Sequence, residues 1–288
     1  MEITNANKKI EGLSVEKAKE WVAGKKEAEF ILLDVRQPEE YRTGHLPGAV
    51  FIPLPDLIDK VGELDPAKAV LAYCRSGNRS RAAAAFLLSE GFSKVYSMDG
   101  GITAWNGHVA TGDYTKGLFL LKGRETAGEL MSLALVLEEG SRIFYTSIAE
   151  LTSDAEAKSI FTTIAEAEAK HKTNILQAYT LVTGENVSED ILNKEPLKGI
   201  MEGGNRIEDA IAFLKKQDKA LLDMLEIAMQ VETNSLDLYI KMFREIEDIK
   251  ARNIFGSLIE EEKLHLSRLG KLLGEKAAGI FPRPLGEG

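Results

Sequence analysis

The sequence predicts two folds in series: an α/β domain, then an all-α bundle built on four long helices. Three observations carry this. Short apolar runs alternate with helical stretches as far as about residue 112. Beyond residue 123 the apolar residues recur at helical spacing over stretches far longer than strands. Within that second part, a set of chemistry-bearing residues repeats at an offset of 94 positions.

Taken in order, residues 14–23 read as a helix with Ser14 as N-cap. Residues 29–35 (EFILLDV), 69–73 (AVLAY) and 95–98 are short apolar runs with β-branched or aromatic content, as strands require. An alanine-rich helix over 79–90 ends at Gly91, which suits the C′ position. Strands alternating with helices indicate a mainly parallel sheet. The domain is expected to end at residue 112. A glycine-bearing linker spans 106–122 (113–122 as the linker proper), and its apolar residues 118–121 are expected to pack. Residues 124–151, 153–183, 216–247 and 249–274 carry amphipathic helical patterns, giving a bundle over 123–276. The segment 186–214, with Pro196, Gly199, Gly203 and Gly204, joins the second long helix to the third, and 207–214 reads as a short helix. The tail from 277, with Pro282 and Pro284, is expected to be irregular.

A chain of 288 residues accommodates two ordinary domains, and 44% apolar with 28% charged residues is a globular composition. The net charge of −9 is uneven. Residues 1–112 hold 14 Lys/Arg against 15 Asp/Glu, and the remainder 22 against 30. This acidic balance argues against a nucleic-acid partner. The opening residues lack a basic segment followed by an apolar one, and apolar runs such as 133–137 are too short for a bilayer. Cys74 is the single cysteine, which excludes an intrachain disulfide and any Cys-x-x-Cys site. A cytoplasmic protein is expected, since a free thiol persists there.

The repeat is the densest signal. Glu138, Tyr145 and Glu168-x-x-His171 recur as Glu232, Tyr239 and Glu262-x-x-His265. In both copies 30 residues separate the lone Glu from the paired one, and 7 separate it from the Tyr. Positions i, i+3 and i+7 share a helix face, so each motif presents its side chains together. Ala134/Ala228, Ser141/Ser235, Ala157/Ala251 and Ile160-Phe161/Ile254-Phe255 extend the match, as two helix hairpins would. Glu138 follows Leu133, Leu135 and Leu137, and Glu232 follows Ile227, Met229 and Val231. Ionised carboxylates among such neighbours are costly unless paired or metal-bound. Four carboxylates and two imidazoles form the ligand set of a dinuclear metal site. One imidazole per metal suits iron, with manganese as the alternative, better than zinc. Glu168 and Glu262 are expected to bridge, with Glu138 and Glu232 terminal. Tyr145 and Tyr239 are expected to hydrogen-bond ligand carboxylates; ordinary packing with a satisfied hydroxyl is the alternative. Glu166 and Glu260 fall on the solvent face.

The second chemical centre is Cys74-Arg75-Ser76-Gly77-Asn78-Arg79-Ser80, between a predicted strand and a helix. Such a turn surrounds the sulfur with backbone N–H groups and the positive helix end. Arg75 and Arg79 are expected to add positive charge and favour a reactive thiolate. Ser76, Gly77, Asn78 and Ser80 complete a substrate-binding loop. Phosphatases that act through cysteine use Cys-x5-Arg, a loop one residue longer than the Cys-x4-Arg spacing here.

Residues 28–105 resemble a single-domain rhodanese, through LDVRQPEEY (33–41), GHLPGAV (44–50), CRSGNRS (74–80) and MDGGITAW (98–105). The resemblance implies an α/β sulfurtransferase in which Cys74 carries sulfane sulfur as a persulfide. A small anionic donor such as thiosulfate would supply the sulfur and cyanide or a thiol would accept it, with catalytic Cys74, Arg75 and Arg79. Asp34 and Arg36 would organise the loop, His45 would be a turn residue and His108 a surface one. Residues 124–274 resemble the rubrerythrin branch of the ferritin-like superfamily, whose halves each carry E-x6-Y and E-x-x-H. That resemblance implies a ferritin-like four-helix bundle and a non-haem di-iron centre on Glu138, Glu168, His171, Glu232, Glu262 and His265. It further implies reaction with peroxide or oxygen, and a homodimer. Two features depart from the family pattern. Met229 stands where a further Glu is usual, and one cysteine cannot build the four-cysteine electron-delivery module, so an external electron donor is expected. The expectation is a sulfurtransferase fused to a di-iron bundle. A sensor of iron, peroxide or sulfane sulfur with little turnover is the second reading, and a bundle that merely dimerises the first domain is the third.

Overall fold

The computed structural model describes residues 10–112, 126–187, 199–201, 205–216 and 221–280. The chain forms two compact units, Met1–Tyr114 and Thr115–Gly288. The expected linker 113–122, with its apolar residues 118–121, lies outside the described residues.

In the first unit the elements are β1 (Glu11–Leu13), α1 (Val15–Ala23), β2 (Phe30–Asp34), α2 (Pro38–Thr43), β3 (Val50–Phe51), α3 (Leu57–Lys60), β4 (Ala69–Tyr73), α4 (Asn78–Ser89), β5 (Val95–Met98) and α5 (Gly101–Ala104). The five strands form a parallel sheet in the order β1-β5-β4-β2-β3. Every residue of β2 and β4 is buried, which is why both read as continuous apolar runs. The pleat sends their side chains alternately to two cores. Ile31, Leu33, Val70 and Ala72 pack with Ala83, Ala84 and Leu87 of α4. Phe30, Leu32, Leu71 and Tyr73 pack with Val15 and Ala18 of α1 and with Tyr41. Strands β1 and β3, three and two residues long, leave too little pattern to be read from sequence. Ser14 caps α1 by accepting from the Lys17 amide.

The stretch expected to begin the linker is tied back to this unit. His45 and Ala110 exchange backbone hydrogen bonds of 2.8 Å, and the Gly112 amide donates to Arg42. His45 is therefore more than a turn residue. It is buried, its ring stacks on Tyr41 at 3.7 Å, and Nδ1 lies 2.9 Å from the Tyr41 carbonyl. His108 is exposed.

The second unit contains α6 (Ala127–Leu151), α7 (Ala155–Thr183), a two-stranded antiparallel ribbon of β6 (Ile200–Met201) and β7 (Asn205–Arg206), α8 (Ile207–Lys216), α9 (Leu221–Glu245) and α10 (Ile249–Ile280). A capping box of Thr126 with Glu129 starts α6, and Asp154 caps α7. Helix α7 ends on Gly184 at φ 74°, a left-handed turn that suits glycine. Helices α6 and α7 pack as one hairpin, α9 and α10 as the other, and α7 packs on α10. The ribbon crosses α6 at Gly140, where a Cβ would lie 2.1 Å from the Ile200 carbonyl oxygen. Helix α10 continues to Ile280, past the point where an irregular tail was expected. Among the described residues, no helix is long and apolar enough to cross a membrane.

Candidate functional sites

In the first unit β4 delivers Cys74 to the C-terminal edge of the sheet, the usual place for a ligand site in a parallel sheet. Gly77, at φ 103°, turns the chain into α4. The Gly77 amide donates to Cys74 Sγ at 3.1 Å. Ser80 Oγ approaches Sγ at 3.7 Å, donates to the Gly77 carbonyl at 3.0 Å and pairs with Ser97 Oγ at 2.9 Å. The sulfur is buried. Burial alone would raise the thiol pKa. The Ser80, Ser76 and Gly77 amides and the Ser80 hydroxyl outweigh it together, so the thiol ionises below its ordinary 9.0.

The loop is held from the other side by the glycine pair of the MDGGITAW segment. The amides of Ile102 and Thr103 donate to the carbonyls of Cys74 (2.8 Å) and Arg75 (3.1 Å). This contact needs glycine at 101, where a Cβ would lie 2.4 Å from the Cys74 carbonyl oxygen.

The arginines act differently from the sequence expectation. Arg79 makes a bidentate ion pair with Glu40, both contacts at 2.7 Å. That pair holds the Glu40 carboxyl at about 2. Glu40 dominates the surroundings of the Arg79 guanidinium, and the interaction of Arg79 with Cys74 is the smaller one. Arg75, Ser76 and Asn78 are exposed. Backbone amides and Ser80 thus contribute most to the favoured thiolate, and Arg79 adds a smaller share. Glu40 was missed from sequence, although it lies inside the quoted 33–41 segment. Asp34 and Arg36 form a buried pair, with Arg36 Nη2 at 2.7 Å from Asp34 and 2.6 Å from the Gly44 carbonyl. They brace the end of β2 away from the sulfur's own contacts.

In the second unit, helices α6, α7, α9 and α10 bring all six repeated ligand candidates together. Glu138, Glu168, His171, Glu232 and Glu262 are fully buried and His265 is 2% exposed. Their donor atoms fall into two groups, each within 4.8 Å: Glu138, Glu168 and His171, and Glu168, Glu232, Glu262 and His265. Glu168 belongs to both, the position of a bridging ligand, whereas Glu262 belongs to one. His171 Nδ1 lies 3.0 Å from Glu138 and 2.9 Å from Glu168. His265 Nδ1 lies 3.0 Å from Glu232. Burial pushes Glu138 and Glu232 toward the neutral form, but the imidazoles and neighbouring hydrogen bonds reverse this and lower both.

The tyrosines cross between the halves. Tyr239 of α9 donates to Glu138 of α6 at 2.7 Å, and Tyr145 of α6 donates to Glu232 of α9. Each tyrosine ring also rests near the phenylalanine of its own half, Tyr145 on Phe161 at 6.3 Å and Tyr239 on Phe255 at 5.9 Å. Glu166 and Glu260 are exposed, and Met229 is buried in the core beside the site. Glu261 was missed from sequence. Its Oε2 lies 2.7 Å from His171 Nε2.

Four buried carboxylates against two imidazoles leave a surplus of negative charge in a low-dielectric core, which bound cations would neutralise. The donor set, oxygen-rich with one nitrogen per group, fits two transition-metal ions of the iron or manganese type.

Comparison with known proteins agrees with both halves. The rhodanese-like domain family matches residues 14–108, and the rubrerythrin family matches residues 129–273. A thiosulfate sulfurtransferase, GlpE, of Pseudomonas syringae pv. syringae is 40% identical over 75 residues, covering 26% of this chain and 71% of that one. The solved rhodanese-like domain protein of Staphylococcus aureus is 23% identical and covers 36% of this chain and 100% of its own, with a TM-score of 0.33. A rhodanese-related protein of Thermoplasma volcanium is 29% identical and covers 34% and 94%, with a TM-score of 0.31. With half of its length matched by that family, the chain belongs to the rubrerythrins and carries a rhodanese-like domain ahead of the ferritin-like bundle.

Proposed function

We propose that the chain is a sulfurtransferase joined to a non-haem di-iron oxidoreductase that acts on peroxide or oxygen. The Cys74 loop carries the first half of this reading, and the similarity to a thiosulfate sulfurtransferase supports it. The Cys74 thiolate attacks the outer sulfur of a donor such as thiosulfate. The donor S–S bond breaks, and sulfite departs with the bonding electron pair. The anionic outer sulfur of the resulting persulfide is stabilised by the loop's N–H groups. Cyanide or a thiol then attacks that sulfur and returns the Cys74 thiolate; with cyanide the product is thiocyanate. Since Arg79 is engaged by Glu40, exposed Arg75 is the loop cation that meets an anionic donor. A thiosulfate–cyanide assay with intact-mass measurement tests this. The expected result is turnover, with one added sulfur atom on the wild type and neither signal in Cys74→Ser. Turnover retained by Cys74→Ser would overturn it.

The buried donor set and the family membership support the second half. When bound, two iron ions supply the electrons that reduce the O–O bond of peroxide. The chain contributes six side chains to hold them, Tyr145 and Tyr239 to aim the terminal carboxylates, and apolar clusters on either side of the site that keep bulk water away. Electrons come from an external donor, a single cysteine being too few for a four-cysteine iron module. We further place the protein in the cytoplasm as a homodimer, which fractionation and sedimentation velocity test. The metal reading is tested by iron content after purification without added metal, beside a Glu168→Ala/His171→Ala control. About two iron atoms per chain, lost in the control, is the expected result. Iron bound without peroxide turnover would favour the sensing role.

A further inference from the structure

The two halves of the bundle are alike in ligands and in the crossed tyrosines, yet they differ behind the histidines. His171 turns Nδ1 toward Glu138 and Glu168, and Nε2 toward Glu261 of α10 at 2.7 Å. Among the described residues, His265 Nε2 has no carboxylate partner. At the 94-residue offset, the position matching Glu261 is Ala167. The repeat is therefore broken one residue before a ligand, in a place that decides how one imidazole is held.

We propose that Glu261 is a positioning residue that makes the two metal positions inequivalent, the one beside His171 being the tighter. This rests on the di-metal reading above. A carboxylate at Nε2 draws the ring proton to that nitrogen and leaves the Nδ1 lone pair facing the cluster. It also fixes the plane of the ring and makes Nδ1 a better donor. His265, with no such partner, must meet its metal from a less ordered ring. Glu261 itself is 42% exposed at its side chain, so it reaches His171 from the rim of the bundle and is no ligand in either group. Removing it leaves the core untouched.

The test is an anaerobic titration of the full-length apo-protein with Fe(II) or Co(II) alone, followed by calorimetry, with Mössbauer spectra of the Fe(II)-loaded samples. Wild type is expected to bind two ions in two steps, with two distinct quadrupole doublets. Glu261→Ala is expected to weaken the first step by about 10-fold to 100-fold, the range for outer-shell partners of metal-bound histidine, and to bring the two doublets together. Glu261→Gln, which keeps an acceptor oxygen, should recover most of the difference. Ala167→Glu, which places the missing carboxylate behind His265, should tighten the second step. If wild type binds no metal, the di-metal reading itself falls. If wild type binds two ions and Glu261→Ala leaves both steps and both doublets unchanged, the positioning role falls and the metal site stands.

Discussion

Cys74 and Glu168 are both buried at the centre of a candidate site, but different parts of the chain surround them. Around Cys74 the stabilising groups are mostly backbone amides at a strand-to-helix turn, with the Ser80 hydroxyl the main side-chain contributor. Around Glu168 they are side chains, the His171 imidazole at 2.9 Å and the His265 imidazole at 3.6 Å, within a donor set drawn from four helices and matched across a repeat. A backbone site depends on the path of the chain, and so on glycines and turn geometry. A side-chain site depends on residue identity at fixed helical spacing. The first should be broken by changing shape, and the second by changing chemistry.

The largest expected effect is at the shared ligand. Glu168 belongs to both donor groups, so Glu168→Ala should remove both ions, whereas Glu232→Ala should weaken one group and spare the other. Metal analysis of the two variants checks this, with the sulfurtransferase assay as the control for folding of the first unit. Equal losses in the two variants would mean that the site behaves as one unit rather than as two groups sharing a bridge.

Next is Gly101→Ala, which leaves every reacting group of the first site in place. Its Cβ would be driven into the Cys74 and Arg75 carbonyls, at 2.4 and 2.5 Å, from a φ of 57° that alanine rarely adopts. Strain of this kind costs on the order of 1–3 kcal/mol. The loop should shift, and sulfur transfer should fall at least tenfold while metal content is unchanged. Thermal denaturation together with the thiosulfate–cyanide assay measures both.

The same contrast decides what the sequence discloses. The long helices were legible because their apolar spacing persists for many turns, and the six buried ligand candidates because chance does not reproduce two spacings twice. The central strands β2 and β4 were legible as unbroken apolar runs. Strands β1 and β3 were not, since two or three residues have no period, and the ribbon over Gly140 depends on a close approach that only three dimensions reveal. Glu261 escaped because it lies outside the repeat, and the repeat was the signal. The pairing of Arg79 with Glu40 escaped because the two lie 39 residues apart on separate elements, so the loop arginines read as charge available to the sulfur.

A smaller effect is expected from the crossed tyrosines. Tyr239→Phe removes the hydroxyl that reaches Glu138, and Tyr145→Phe the one that reaches Glu232. Each leaves a buried carboxylate one donor short, at a cost of about 1–3 kcal/mol. Because the contacts cross between halves, Tyr239→Phe should loosen the metal position beside His171, on helices α6 and α7, although Tyr239 itself lies on α9. Stepwise metal titration distinguishes this from a local effect on the Glu232 group.

The smallest and most specific effect concerns the ionisation of Cys74. A thiol whose ionised form is favoured in the folded loop is fully deprotonated at a lower pH than a free one. The rate of sulfur acceptance should therefore rise with pH and level off through a midpoint below 9.0. Ser80→Ala removes the hydroxyl near Sγ but keeps the Ser76, Gly77 and position-80 amides. The midpoint should then move upward by a modest amount, with the plateau rate nearly retained. The pH profile of thiolate absorbance in the donor-free protein reads this shift directly. A Glu40→Gln variant serves as the comparison, since it frees Arg79 from its partner. If backbone amides govern the thiolate, freeing that cation should move the midpoint less than losing the hydroxyl does. A larger downward move in Glu40→Gln would instead show that Arg79, once released, takes up the role that its spacing in the sequence suggests.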